Sequence, residues 1–153
     1  MTRMLHKNRI LVLCTGNSAR SQIAEGLLRS FDPNLEVFSA GTQPSPRVNP
    51  FAIEVMKEIG IDIGKDCPKN VSQFLHDSFD YVITVCDDAD QNCPVFSGQV
   101  KRRLHIGFAD PAKATGSPKE ILAAFRTVRD EIKDRFSEFW SREVKSRQNI
   151  HER

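Results

Sequence analysis

The chain has 153 residues, 39% apolar and 27% charged, which is long enough for one buried core and too apolar for a disordered segment. Its 22 basic and 20 acidic residues leave a formal charge of +2, which excludes the strong basic field of a nucleic-acid-binding protein. No apolar run approaches the roughly 20 residues of a membrane-spanning helix. The basic segment 1–9 precedes too short an apolar run for a secretory signal, so we expect a cytoplasmic protein.

Four short apolar or β-branched runs are predicted to be strands. They lie at residues 9–13, 35–39, 80–85 and 104–106. Helical patterns lie between them, and strands that alternate with helices form a parallel sheet covered on both faces. We therefore predict a three-layer α/β/α fold with a central four-stranded parallel sheet. We expect one domain over residues 1–153, with an ordered core from about 8 to 140 and a charged C-terminal tail.

Three helices are predicted from the residues at their ends. An apolar stripe behind the first strand stops at Asp32, which is followed by proline. Asn49 before Pro50 is typical of a helix start. Ser117 and Glu120 have the spacing of a capping box, and the apolar residues that follow recur every three or four positions.

The first strand leads into a loop whose residues suit a tetrahedral oxyanion. Gly16 and Asn17 tolerate unusual backbone angles, so successive amides can turn inward, toward the positive end of the next helix. Arg20 can bind two anion oxygens, and this positive field is expected to lower the pKa of Cys14 and make it a nucleophile. The alternative is a buried cysteine beside an incidental arginine. The predicted oxyanion-binding residues are Thr15, Gly16, Asn17, Ser18, Ala19, Arg20 and Ser21.

This loop and the helix start behind it resemble the low-molecular-weight protein tyrosine phosphatase superfamily, and most of all its thioredoxin-coupled arsenate reductases. The resemblance runs from Arg9 to about Phe136 and includes the segments 39–41, 48–50, 56–58 and 107–112. It implies a phosphatase-like arsenate reductase domain that reduces arsenate to arsenite. It also implies arsenate or phosphate as ligand, thioredoxin as electron donor, no tightly bound cofactor, and a monomer. Hydrolysis of aryl phosphates is the alternative activity.

Two further cysteines follow the third predicted strand, and their surroundings from Thr84 to Pro94 match the reductases. By this resemblance Cys14 attacks arsenate, Cys86 then attacks Cys14 as arsenite leaves, and Cys93 attacks Cys86 to free Cys14. The polar residues between Cys86 and Cys93 predict a surface loop that can refold. Two structural cysteines are an alternative, and a zinc site is disfavoured because two more ligands at close spacing are missing.

The segment after the fourth strand contains Asp110, which the resemblance makes the general acid that protonates the leaving group. The alternative is a simple turn, because Asp-Pro commonly starts one. Phosphatases that accept aromatic substrates carry aromatic residues after this Asp-Pro, whereas here Pro111 is followed by Ala112, Lys113 and Ala114. This favours a small inorganic oxyanion. An inactive oxyanion sensor is a further alternative, which the combination of nucleophile, arginine and acid disfavours.

The chain departs from the family at two positions. Ala19 stands where many relatives have a cysteine that the three-thiol relay does not need. Some relatives bind a monovalent cation through groups that match Asn17, Glu25 and Ser39, near an acidic residue that is Lys69 here. We expect no metal, and we hypothesise that the Lys69 ammonium replaces the cation by pairing with Glu25.

Other polar residues have structural interpretations. Cys67 lies between aspartate and proline, which predicts a loop position outside the relay. His105 is expected to be a hydrogen-bonded core histidine. The mixed charges of residues 126–147 predict a solvated helix face.

Overall fold

The centre of the molecule is a sheet of four strands. The computed structural model describes residues 7–145. The strands are β1 (Arg9–Cys14), β2 (Glu36–Gly41), β3 (Phe79–Thr84) and β4 (Val100–His105). They lie in the order β2-β1-β3-β4, and every neighbouring pair is parallel. The predicted four-stranded parallel sheet is confirmed.

Burial along the strands explains which of them the sequence pattern predicts well. All six residues of β3 and the last five of β1 are buried, because helices cover both faces of the sheet. β4 lies at the edge, where Lys101 and Arg103 alternate with partly buried residues. The predicted strand at 104–106 was too short because charges on an edge strand interrupt the apolar signal.

Four α-helices connect and cover the strands, with the single-domain three-layer arrangement that the sequence predicts. Asn49 accepts a hydrogen bond from the amide of Phe51 at 2.8 Å, and both bonds of the capping box between Ser117 and Glu120 are present. These predicted helix starts are confirmed. The helices are α1 (Arg20–Phe31), α2 (Pro50–Glu58), α3 (Asp87–Gln91) and α4 (Pro118–Phe139), with short 3₁₀ turns at Val71–Phe74 and Pro111–Lys113.

Helix α4 joins the other long helices into one layer. Phe125 is fully buried, and its ring lies 5.6 Å from that of Phe51 on α2. Arg129 donates from Nη1 to the carbonyl of Val55 at 2.9 Å, which satisfies a backbone acceptor near the end of α2. These contacts fix the position of α2 against α4.

Two segments differ from the sequence prediction. The residues after Cys86 form the short helix α3 instead of a loop, because the Cys86 thiol caps the amide of Ala89 and acidic residues fill the first turn. Beyond Phe139 the chain continues as a π-helix over Trp140–Lys145, held by the buried Val144. Helical structure therefore extends past the predicted limit of about residue 140. Residues 146–153, like residues 1–6, lie outside the described residues.

Parallel strands place their C-terminal ends at one edge of the sheet, where ligands bind in folds of this type. Cys14 and Gly41 are partners in the register of β1 and β2, and β3 and β4 end at Thr84 and His105 on the same edge. Among residues 7–145, no helix is both long enough and apolar enough to cross a membrane.

Candidate active site

The loop between β1 and α1 is held by backbone hydrogen bonds on one side. The carbonyls of Cys14, Thr15 and Gly16 accept from amides in segment 42–45, at 2.8–3.2 Å. The carbonyl of Ser18 accepts from the amide of Asn49 at 2.8 Å. Carbonyl oxygens, which would repel an anion, are thereby turned toward the neighbouring segment. The loop is thus suited to present its amides to an oxyanion.

Gly41 allows the end of β2 to approach this loop closely. A Cβ atom at Gly41 would lie 2.3 Å from the carbonyl oxygen of Thr15 and 3.1 Å from the amide nitrogen of Asn17. Both neighbours are backbone, so neither can rotate away. The path of the loop therefore depends on a residue without a side chain.

Asn17 holds the loop from the inside. Its φ is 52°, a left-handed conformation that asparagine tolerates better than most residues. Its buried side chain donates to Ser21 Oγ at 2.7 Å and to Ser39 Oγ at 2.9 Å, and accepts from the Lys69 amide at 2.9 Å. Gln22 donates to both the carbonyl and the side-chain oxygen of Asn17 at 3.2 Å. Asn17 thus ties the loop to α1, to β2 and to the segment that follows α2.

Cys14 lies at the base of this loop and is 3% exposed. Its Sγ accepts from the Asn17 amide at 3.1 Å and lies 2.8 Å from Ser21 Oγ. Burial raises the pKa of the Cys14 thiol, against the opposing effect of the Ser21 and Asn17 hydrogen bonds. The predicted lowering of this pKa is wrong because burial outweighs these hydrogen bonds, and the Arg20 guanidinium donates to the Phe108 carbonyl.

Arg20 and Asp110 face each other across the mouth of the loop. Arg20 donates from Nη1 to the carbonyl of Phe108 at 3.0 Å, and its Nη2 lies 3.6 Å from Asp110 Oδ2. Asp110 also accepts from the amide of Ala112 at 2.9 Å, so the Asp-Pro segment is a turn as well as a source of an acid. An anion in the loop would offer Arg20 a stronger partner than a carbonyl.

Cys86 lies at the rim of the same loop. It follows β3, caps α3 and is 5% exposed. Thr15 Oγ1 in the loop lies 3.4 Å from Cys86 Sγ. The same hydroxyl donates a hydrogen bond to Asp88 Oδ2 at 2.8 Å. The structure therefore brings the second thiol to the oxyanion loop and connects the loop to α3.

Cys93 lies on the far side of α3, partly buried, and the structure does not place it against Cys14. Arg103 on β4 approaches it, with Nη1 3.9 Å from Sγ. Burial raises the pKa of the Cys93 thiol, the charge of Arg103 lowers it, and Asp90 raises it further. The sequence analysis did not identify Arg103 as a neighbour of Cys93. Its position directly before the fourth predicted strand was a signal that could have found it.

The hypothesised pair between Lys69 and Glu25 is not present as a direct contact. Glu25 is buried and lies 3.6 Å from Arg29, while Lys69 Nζ donates to the carbonyl of Cys67 at 3.1 Å. Burial raises the pKa of Glu25, and the charges of Arg29 and Lys69 oppose this. Lys69 thus acts on Glu25 only through its electric field.

His105 was predicted wrongly to lie in the core. It lies at the exposed end of β4, where its ring contacts Thr84 at 2.8 Å and Asp87 at 3.1 Å. Cys67 is exposed, and its carbonyl accepts hydrogen bonds from the side chains of Gln22 and Lys69. Within the described part of the chain, no group of three His, Cys, Asp or Glu residues is arranged to hold a metal ion.

A buried cysteine at a strand end, followed in the same loop by an arginine that pairs with an aspartate, is typical of α/β proteins that act on tetrahedral oxyanions through a cysteine. Residues 9–149 match the family described as low molecular weight phosphotyrosine protein phosphatase. The chain belongs to that family, as the resemblance predicted.

The chain is similar to individual arsenate reductases over most of its own length. The chain is 45% identical over 136 residues to an arsenate reductase of Halalkalibacterium halodurans, which covers 88% of this chain and 96% of the relative. A solved structure of an arsenate reductase in the phosphate-binding state is 30% identical, with a TM-score of 0.75 and coverage of 88% and 97%. A thioredoxin-dependent arsenate reductase of Corynebacterium glutamicum is 29% identical, with a TM-score of 0.60 and coverage of 88% and 61%.

Proposed function

We propose that this protein reduces arsenate to arsenite through a relay of Cys14, Cys86 and Cys93, and that thioredoxin recycles it. One observation carries the proposal: the Cys86 thiol lies at the rim of the oxyanion loop, 3.4 Å from Thr15 Oγ1. A phosphatase of this fold has no use for a second thiol there. Similarity to arsenate reductases over most of both chains supports the same activity.

The first step joins Cys14 to arsenic. Arsenate binds to the amides of the loop, and Arg20 turns from the Phe108 carbonyl onto two of its oxygens. The positive charge of Arg20 then favours the Cys14 thiolate, which attacks arsenic. Asp110 protonates the departing oxygen, which leaves as water.

The second and third steps transfer two electrons. Cys86 attacks Cys14 Sγ, the sulfur–arsenic bond breaks, and its electron pair leaves with arsenic as arsenite. Cys93 then attacks Cys86, which releases the Cys14 thiolate and leaves a Cys86–Cys93 disulfide. Cys86 caps the start of α3 and Cys93 lies two residues beyond its end, and the five helical residues between them rise by roughly 7.5 Å, at about 1.5 Å per residue. A disulfide needs Cα atoms about 4.4–6.8 Å apart, so α3 must unwind in this step.

An external dithiol completes the cycle by reducing that disulfide. Cys93 is the more accessible cysteine of the pair, which suits attack by a protein dithiol. The similarity to a thioredoxin-dependent reductase supports thioredoxin as this partner. The relay requires a reducing compartment, in keeping with a cytoplasmic location. We also propose a monomer, and we propose no bound cation because the charge of Lys69 acts on Glu25 in the region where some relatives hold one.

Hydrolysis of aryl phosphates is the second candidate, because family membership and the set of Cys14, Arg20 and Asp110 suit it. The residues after Asp110 offer no aromatic wall, and the nearby Phe108 stacks on Phe136 with ring centroids 6.2 Å apart. Phosphate and arsenate are both tetrahedral dianions of similar size. We therefore propose phosphatase action as a side activity.

The test is arsenate-dependent oxidation of NADPH in the presence of thioredoxin and thioredoxin reductase. We expect steady turnover for the unmodified protein, none for Cys14→Ser, and about one cycle per molecule for Cys93→Ser. Cys67→Ser is the matched control, because this exposed cysteine lies outside the relay and its loss should leave turnover unchanged.

The same proteins are assayed with an aryl phosphate, which needs Cys14 and neither of the other two thiols. Hydrolysis without any arsenate-dependent turnover would establish the phosphatase and remove the relay. Steady turnover by Cys93→Ser would show that a different thiol resolves the Cys14–Cys86 disulfide.

A further inference from the structure

A cluster of hydrogen bonds joins the exposed end of β4 to helix α3. The ring of His105 has Nε2 3.1 Å from Asp87 Oδ1 and Nδ1 2.8 Å from Thr84 Oγ1. Thr84 in turn donates to Asp90 Oδ1 at 3.1 Å, and Asp90 lies 3.9 Å from His105 Nδ1. Both ring nitrogens of one histidine are therefore engaged around the first and fourth residues of α3.

The backbone next to the histidine fits the ring closely. A Cβ atom at Gly107 would lie 2.9 Å from His105 Nε2. The glycine therefore leaves room for the ring at the position from which it contacts Asp87. The cluster lies apart from the oxyanion loop, on the side of α3 where Cys93 is found.

These contacts depend on α3 being a helix. Asp87 and Asp90 approach a single imidazole because they are three positions apart, which places their side chains on one helix face. When α3 unwinds so that Cys86 and Cys93 can join, that spacing is lost. The cluster is therefore made in the dithiol form and broken in the disulfide form.

We propose that His105 is a positioning residue that holds α3 in its dithiol form and thereby sets the equilibrium between the Cys86–Cys93 dithiol and disulfide. An interaction present in one form only shifts the equilibrium toward that form. His105 thus makes the disulfide easier to reduce. The proposal rests on the proposed function, because it needs this disulfide to form.

A cavity beside the cluster gives the unwinding segment space to move. It has a volume of about 260 Å³ and is lined by residues of β3, β4 and the redox segment 86–93. Among them are Thr84, Asp90, Cys93, Arg103 and His105. The hydrogen bonds that His105 makes to Thr84 and Asp87, called the clasp below, oppose this rearrangement together with the Thr15–Asp88 hydrogen bond and the Cys86 cap of α3.

The experiment measures the dithiol–disulfide equilibrium directly. The full chain carrying Cys14→Ser and Cys67→Ser is equilibrated with mixtures of reduced and oxidised dithiothreitol, and free thiols are counted by alkylation and mass measurement. Cys86 and Cys93 lose two protons and two electrons to oxidised dithiothreitol as their disulfide forms. We expect His105→Phe to favour the disulfide about tenfold, a midpoint potential lower by about 30 mV.

Further variants separate this role from a general effect on folding. His105→Gln retains hydrogen-bonding groups and should show a smaller shift. His76→Phe is the matched control, because that histidine bonds to the hydroxyl of Ser97 and not to α3. Asp87→Ala removes the same contact from a side chain that is 88% exposed, and in this background His105→Phe should shift the equilibrium much less.

The outcomes for the proposed function and for the clasp are distinct. If the parent protein forms no Cys86–Cys93 disulfide at any ratio, the relay itself is overturned. If the disulfide forms and its midpoint potential is the same in the parent protein, in His105→Phe and in the His76→Phe control, the relay stands and the clasp is overturned. Equal shifts of His105→Phe with and without Asp87→Ala would also overturn it.

Discussion

The oxyanion loop and the redox segment 86–93 lie side by side and are built in opposite ways. The loop is buried and fixed from both sides, by the backbone bonds to segment 42–45 and by the side chain of Asn17. The redox segment contains a helix of only five residues, and its acidic side chains are largely exposed. Thr15 joins the two through a thiol–hydroxyl contact with Cys86 and a hydrogen bond to Asp88.

The difference follows from what each region has to do in the proposed reaction. An oxyanion loop works best when its donors are in place before the anion arrives, because no reorganisation is then needed. A thiol relay needs the opposite property, since Cys86 must reach first Cys14 and then Cys93. A short helix meets this need, because few hydrogen bonds are lost when it unwinds. Changes in the two regions should therefore have separable effects.

The largest effect is expected from Gly41→Ala, which breaks the rigid region. The added Cβ would lie 2.3 Å from the Thr15 carbonyl oxygen, so the backbone of the loop must move. A displacement of about 1 Å can cost roughly 100-fold in rate, and we expect arsenate reduction and aryl phosphate hydrolysis to fall together by at least this factor. Strain should also lower the free energy of unfolding by about 1–3 kcal/mol.

Gly60→Ala is the matched control for this substitution. Gly60 has a φ of 80° and no atom near the position of a Cβ, so alanine costs about 1–2 kcal/mol of stability through backbone strain alone. Both activities should remain. Loss of activity in Gly60→Ala, or full activity in Gly41→Ala, would contradict the view that the close approach at Gly41 shapes the site.

The next effect concerns Asn17, which combines a left-handed backbone with buried hydrogen bonds. Asn17→Ala puts a residue that tolerates the left-handed backbone less well at this position and removes the side-chain hydrogen bonds. The Ser21 and Ser39 hydroxyls lose that partner, and the change should cost about 1–3 kcal/mol of stability. We expect a ten- to hundredfold fall in both activities. Asn17→Gly keeps the favourable backbone and should recover part of the loss. Equal activity of the two variants would show that only the side-chain bonds matter.

A smaller and more selective effect is expected in the redox segment. Ala89 is fully buried at the centre of α3, and Ala89→Gly should weaken this helix by about 1 kcal/mol. That change corresponds to about fivefold faster formation of the Cys86–Cys93 disulfide in a single-turnover experiment. Aryl phosphate hydrolysis should not change. Ala123→Gly in α4 is the control, since it weakens a helix by a similar amount without touching the relay.

Much of this comparison could be predicted from the sequence. The four strands, the helix caps at Asn49 and Ser117, and the family resemblance around Cys14 follow from strong local patterns and from a motif. Parallel strands alone place Cys14, Cys86 and the segment of Asp110 at one edge of the sheet. In these cases the prediction succeeds because it depends only on the regular geometry of strands and helices.

Features that depend on packing could not be predicted in this way. The pKa of Cys14 was expected to be lowered because Arg20 is near in sequence, but in the structure the guanidinium points to Phe108 and burial dominates. Helix α3 was expected to be a loop because its residues are polar, yet the Cys86 thiol caps it. His105 was expected in the core, because the sequence pattern did not show that β4 is an edge strand.

The smallest effect is expected outside both regions, at Glu58 in the contact between α2 and α4. Glu58 receives hydrogen bonds from Arg126 at 2.7 Å and Arg129 at 2.8 Å, and these lower its pKa from 4.5 to about 2. A carboxyl whose pKa is lower in the folded protein stabilises it above the unfolded pKa, and this contribution is lost as pH falls from about 4.5 to 2. Glu58→Gln should therefore lower the unfolding temperature slightly at pH 7 and not at pH 2.

High salt should reduce the difference at pH 7, because the pair is close to the surface. Thermal unfolding at both pH values measures this, and reductase and phosphatase rates at pH 7 should stay unchanged. A change in either rate would mean that the helical layer is coupled to the oxyanion loop or to the redox segment, and the separation of these two regions from their scaffold would fail.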